Sequence, residues 1–110
     1  MVELKGSEKQ IKWAKDIRQQ ILSMKDNYEI AKSNLKVLTK EEESQAQAWN
    51  KVVKQEELNN IDNKFEKYLN TNSAKLLIDN FAYSKLSKNI LTMIENKEYK
   101  HVVDSLDINL

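Results

Sequence analysis

Apolar residues recur every three or four positions through the first third of the chain. This is the spacing of one face of an α-helix, and it comes close to a heptad seam. The seam comprises Ile11, Ala14, Ile17, Ile21, Met24, Tyr28, Ala31, Leu35 and Leu38. Ser7 and Gln10 precede it with the spacing of a capping box, in which each side chain bonds the backbone N–H of the other residue. The pattern predicts one helix over residues 8–38, and whether it breaks at Asp26 and Asn27 stays open.

A second helical pattern begins after Thr39. The first turn would carry three consecutive acidic residues, which the helix dipole favours, namely Glu41, Glu42 and Glu43. Thr39 and Glu42 also have the spacing of a capping box. Apolar residues then recur at helical spacing as far as Leu69, which predicts a helix over residues 40–69. Because only a short turn would separate the two helices, we expect an antiparallel hairpin.

The remainder of the chain predicts shorter helices. Ser73 is a candidate cap for residues 73–96, which form either one bent helix or two, and residues 97–110 have a weak pattern that predicts a frayed tail. One glycine and no proline leave few turn signals for a β-fold. We therefore expect an all-α protein with a single helical domain over residues 1–110. Its predicted architecture is a long antiparallel helical hairpin with one or two shorter C-terminal helices packed on it.

Composition excludes several kinds of chemistry. The chain lacks cysteine, so disulfides and thiolate metal sites are impossible, and its single glycine rules out a glycine-rich phosphate loop. The only histidine, His101, lies in the predicted tail, which disfavours a zinc site or a catalytic triad. We therefore expect a protein that is not an enzyme, with no catalytic residue, no metal and no cofactor.

Charge and hydropathy bear on location and partners. The 18 basic and 17 acidic residues give a net charge of +1, so net charge does not identify the partner class. No apolar run reaches the roughly 20 residues that a membrane span needs, and no secretory signal is visible. We expect a cytoplasmic protein that does not bind membranes.

The second helix carries the candidate partner-binding residues. Trp49 is of a type that dominates interface hot spots, although packing in or at the edge of the core is the more common role of such a residue. Asp62 and Glu66 are four residues apart and would share one helix face. The three glutamates after Lys40 could contact a basic partner or could simply stabilise the helix N-terminus. The candidate set is therefore Glu41, Glu42, Glu43, Trp49, Asp62 and Glu66.

Two stretches of the chain resemble small bacterial and bacteriophage proteins that are carried on mobile elements. Residues 4–18 resemble their N-terminal signature L-x-G-S-E-K-Q-I-x-W-A-x-x-I-R, and residues 73–81 resemble S-A-x-x-W-I-D-x-R, with Leu77 and Phe81 in place of Trp and Arg. These residues are expected to form the scaffold, with an Arg18–Asp79 ion pair joining the two stretches. The scaffold set is Gly6, Ser7, Gln10, Ile11, Trp13, Ile17, Arg18 and Asp79.

The resemblance implies a bacterial host cell as the location, and it implies a function by association. Small proteins of mobile elements often inhibit host defence proteins, so the leading hypothesis is a non-enzymatic inhibitor that occludes a CRISPR effector nuclease or its guide-RNA complex stoichiometrically. One alternative is a DNA-binding or transcriptional accessory protein that uses the basic first helix. Another is a structural helical bundle that forms a homodimer or larger oligomer through the heptad seam.

Overall fold

The chain folds into a long N-terminal helix on which shorter helices pack. The computed structural model describes residues 3–39, 41 and 52–110. Over these ranges the elements are α1 (Glu8–Ser33), β1 (Lys36–Leu38), β2 (Val52–Lys54), α2 (Gln55–Asn70), α3 (Ala74–Phe81), α4 (Leu86–Glu95) and α5 (Tyr99–Asn109). The described part of the chain is predominantly helical, which confirms the predicted all-α class.

Helix α1 begins at the predicted capping box. The hydroxyl of Ser7 accepts a hydrogen bond from the Gln10 backbone N–H at 3.2 Å, and the Ser7 N–H donates to Gln10 Oε1 at 3.0 Å. Gly6, just before the box, has φ = +153°, and a Cβ there would lie 2.9 Å from Gln10 Oε1 and 3.2 Å from the Cβ of Ala74. A glycine is therefore required by both the backbone conformation and the close approach of α3.

The segment before α1 is tied to the turn between α2 and α3. The Lys5 N–H donates to the carbonyl of Asn72 at 2.6 Å, and the Lys5 carbonyl accepts from the Ala74 N–H at 3.1 Å. Together with the approach of Gly6 to Ala74, these bonds place the two stretches that carry the resemblance in direct contact. Both stretches therefore build one corner of the fold.

Helix α1 ends earlier than the seam predicts. It stops at Ser33 rather than Leu38, where the Ser33 hydroxyl and the Asn34 side-chain amide both donate to the carbonyl of Ile30, at 2.7 and 2.8 Å. Such side-chain bonds compete with the next backbone hydrogen bonds of a helix. Helix α1 continues through Asp26 and Asn27 without a break.

Two short strands replace part of both predicted long helices. β1 and β2 pair in parallel, with Lys36 opposite Val52. The predictions of helix over residues 34–38 and 52–54 were therefore wrong, because Val52 and Val53 suit a strand and their pairing with β1 is invisible to a local pattern. Residues 40 and 42–51 of the predicted second helix lie outside the described residues.

α2 nevertheless runs antiparallel to α1, as the hairpin prediction required. The Tyr28 hydroxyl donates to the carbonyl of Leu58 near the start of α2, and Arg18 donates to the carbonyl of Thr71 just after its end, both at 3.3 Å. What differs is the connection, which contains the paired strands instead of a short turn.

The seam of α1 forms the centre of the hydrophobic core. From Ala14 to Ala31 its apolar side chains are at most 2% exposed. They pack with buried residues of α2 to α5 in one cluster, and each large side chain contributes about 1.5–3 kcal/mol by leaving water. Because the chain's own helices cover the seam, it is not available for a coiled coil with a second copy.

The C-terminal region is more ordered than its pattern predicts. Residues 73–96 form two helices, α3 and α4, and the expected frayed tail is instead helix α5. Three apolar side chains of α5 are fully buried, and these are Val102, Val103 and Leu106. The prediction failed because the burial of these residues depends on packing against α1 and α2 rather than on a long local repeat.

An ion pair also connects α5 to α2. Lys100 Nζ lies 3.1 Å from Glu57 Oε2 and 3.0 Å from Asp104 Oδ1. Burial lowers the pKa of Lys100, but its hydrogen bonds to Asp104 and Glu57 and their negative charges outweigh burial and raise that pKa above its ordinary value.

Candidate functional site

An exposed aromatic pair lies where α1 meets the turn between α3 and α4. The rings of Trp13 and Tyr83 are edge to face, with centroids 6.4 Å apart and an interplanar angle of 81°. Trp13 is 41% exposed and Tyr83 is 90% exposed. Trp13 precedes the seam residue Ala14 by one position, so its indole lies at the border of the buried face of α1.

The backbone around Tyr83 is fixed although its ring is in solvent. The Ala82 N–H donates to the carbonyl of Ile78 at 3.0 Å, and the Ser84 N–H donates to that of Phe81 at 3.1 Å. Phe81 points inward, with its ring edge to face with Tyr68 at 4.8 Å between centroids. The last residue of α3 thus buries its aromatic side chain, whereas the turn that follows leaves the Tyr83 ring exposed beside Trp13.

Lysines lie close to both aromatic residues in the sequence. Lys9 is one helical turn before Trp13 on the same side of α1, Lys12 is its immediate neighbour, and Lys85 follows Tyr83 by two residues. These five residues, Lys9, Lys12, Trp13, Tyr83 and Lys85, are called the aromatic patch below. All five side chains are exposed.

The opposite edge of α1 forms a groove with α2. Asp62 and Glu66, both predicted to bind a partner, lie together there, in a cavity of about 460 Å³ lined by Lys25, Glu29, Lys32, Asp62, Glu66, Leu69 and Asn70. Lys32 Nζ is 3.4 Å from Glu29, 4.0 Å from Asp62 and 4.9 Å from the centroid of the Tyr28 ring. Much of the charge in the groove is thus compensated within the chain.

Tyr28 lies beneath this groove and is fully buried. Burial raises the pKa of its hydroxyl strongly, and the neighbouring carboxylates of Asp62 and Glu29 raise that pKa further. The ring also packs on Phe65, with centroids 5.6 Å apart. Tyr28 is therefore a neutral structural contact between the two helices.

The remaining candidate partner-binding residues are only partly described. Glu41 is exposed, whereas Glu42, Glu43 and Trp49 lie outside the described residues. The structure brings Asp62 and Glu66 together as their spacing predicted. Their role in binding stays a prediction.

Among the scaffold residues, Arg18 and Asp79 do not form the predicted ion pair. Arg18 is buried and its Nη2 donates to the carbonyl of Thr71, the C-terminal cap of α2, while its Nε has no hydrogen-bond partner. The negative end of the α2 dipole at Thr71 favours the guanidinium there. Asp79 is exposed on α3. Ile17 is buried and Ile11 packs half-buried against the core.

Sequence reasoning assigned Trp13 to the scaffold and did not find Tyr83. The indole of Trp13 is partly available on the surface, and its aromatic neighbour comes from a turn 70 residues away. The only sequence signal was the placement of Trp13 one position off the seam. No local pattern links it to Tyr83.

Neither a metal site nor a membrane-spanning helix is found among the described residues. Residues 3–39, 41 and 52–110 contain no group of three or more His, Asp or Glu side chains that could hold a metal ion. None of the helices described is long and apolar enough to cross a membrane. Comparison with protein-family models, with curated proteins and with solved structures finds no match to this chain.

Proposed function

We propose that this chain is a non-enzymatic protein-binding module whose contact surface is centred on Trp13 and Tyr83. The observation that carries the proposal is the exposed edge-to-face pair itself. Tryptophan and tyrosine are enriched at interface hot spots because they bury large apolar areas while keeping a polar group available. Leaving such a pair in water costs hydrophobic free energy that a partner would recover.

The pair is also organised before binding. Trp13 sits on a helix whose seam is buried, and the turn that carries Tyr83 has its own backbone hydrogen bonds. Binding would therefore require little ordering of the backbone that carries the two rings, which reduces the entropy cost of association. The two rings supply only part of the ~800 Å² that a standard interface buries on each partner, so neighbouring residues would complete the surface.

Site-specific photo-crosslinking tests this proposal. Tyr83 is replaced by the photoreactive amino acid p-benzoylphenylalanine, and Ile108 on α5, which is 80% exposed, is replaced in the same way as a matched control. We expect a discrete crosslinked adduct in bacterial cells from position 83 and not from position 108. Equal patterns of adducts from both positions, or none from position 83, would contradict the proposal.

The finer proposal is that the partner is a host defence protein such as a CRISPR effector nuclease. Its support is the resemblance of residues 4–18 to proteins of mobile elements. If this proposal is correct, DNA cleavage by the nuclease stops at about one equivalent of the protein per nuclease. The W13A/Y83A double variant then no longer inhibits cleavage. Full cleavage with excess wild-type protein across a panel of such nucleases would exclude this class of partner and leave the protein-binding proposal standing.

A further inference from the structure

We draw no further inference here: the strongest candidate, the exposed pair of Trp13 and Tyr83 where α1 meets the turn between α3 and α4, belongs to the contact surface already proposed, and nothing among the described residues shows the chemistry of what covers it.

Discussion

The two edges of α1 carry similar kinds of side chain that have different roles. On the edge that faces α2, Lys32 pairs with acids of α1 and α2, Tyr28 bonds the carbonyl of Leu58, and Arg18 bonds the carbonyl after α2. On the edge that faces the α3–α4 turn, Trp13 contacts Tyr83, whose side chain is 90% exposed. The first edge builds the fold, whereas the second leaves two aromatic rings at the surface, where we propose that a partner binds.

The largest expected effect is the loss of stability when the buried Tyr28 is removed, compared with removal of the exposed Tyr83 on the other edge. Tyr28→Ala should lower the free energy of unfolding by about 3–5 kcal/mol, because it leaves a cavity beside Phe65 and removes the bond to Leu58. Tyr83→Ala should change it by less than about 0.5 kcal/mol, since its ring is exposed. Chemical denaturation of both variants measures the difference. Equal losses would contradict the division of α1 into two edges.

A glycine substitution tests the corner where the two resembling stretches meet. Gly6→Ala should destabilise the fold by about 1–3 kcal/mol, because the backbone has φ = +153° and the added Cβ would crowd Gln10 and Ala74. Adding Ala74→Gly should recover the part of this loss that comes from crowding at Ala74. Thermal unfolding followed by circular dichroism checks both. A Gly6→Ala variant as stable as wild type would show that this corner tolerates a side chain.

Alkaline pH should weaken the α2-facing edge. The pKa of Tyr28 is raised on folding, so above about pH 10 the folded chain keeps a proton that the unfolded chain has lost. This contribution to stability is fully present below pH 10 and decreases above it, by about 1.4 kcal/mol per pH unit. Lys100, whose pKa is also raised, acts in the same direction at higher pH.

The Tyr28→Phe variant isolates the tyrosine contribution. Without the hydroxyl, the unfolding free energy should fall less steeply between pH 10 and 11 than in wild type. Urea denaturation at several pH values gives the two slopes. Identical slopes would mean that the hydroxyl of Tyr28 ionises as readily in the folded chain as in the unfolded one.

The smallest expected effect concerns an ion pair that the structure does not form. Asp79→Asn should change stability by less than about 0.5 kcal/mol, because Asp79 is exposed and does not contact Arg18. Denaturant titration measures it. A loss above 1 kcal/mol would restore the scaffold role that the sequence suggested for Asp79.

The pattern of apolar and polar residues predicted correctly the features that depend on local sequence. The capping box at Ser7 and the α1 seam follow from residue spacing. The antiparallel course of α2 was predicted from a short turn, in place of which the connection contains β1 and β2. The early end of α1 did not follow from spacing, because Leu35 and Leu38 continue the seam spacing while β1 pairs with residues 52–54 far along the chain. Non-local contacts of this kind leave no periodic signal.

The candidate surface was harder to predict than the fold. Asp62 and Glu66 were placed on one face by their spacing, and they do share the groove. The contact between Trp13 and Tyr83 depends on how α3 and α4 pack on α1, and no local rule for an exposed aromatic residue in a turn anticipates it. A surface assembled from distant residues becomes visible only after the tertiary contacts are known.

The most direct test of the central claim is the affinity of the partner identified by crosslinking at position 83, measured by calorimetry. We expect W13A/Y83A to weaken binding by at least 100-fold, as the loss of two hot-spot residues implies. The control variant L91A/I108A, which removes two other exposed apolar side chains, should stay within about threefold of wild type. Similar losses in both variants, or unchanged binding in W13A/Y83A, would contradict the assignment of the aromatic patch as the contact surface.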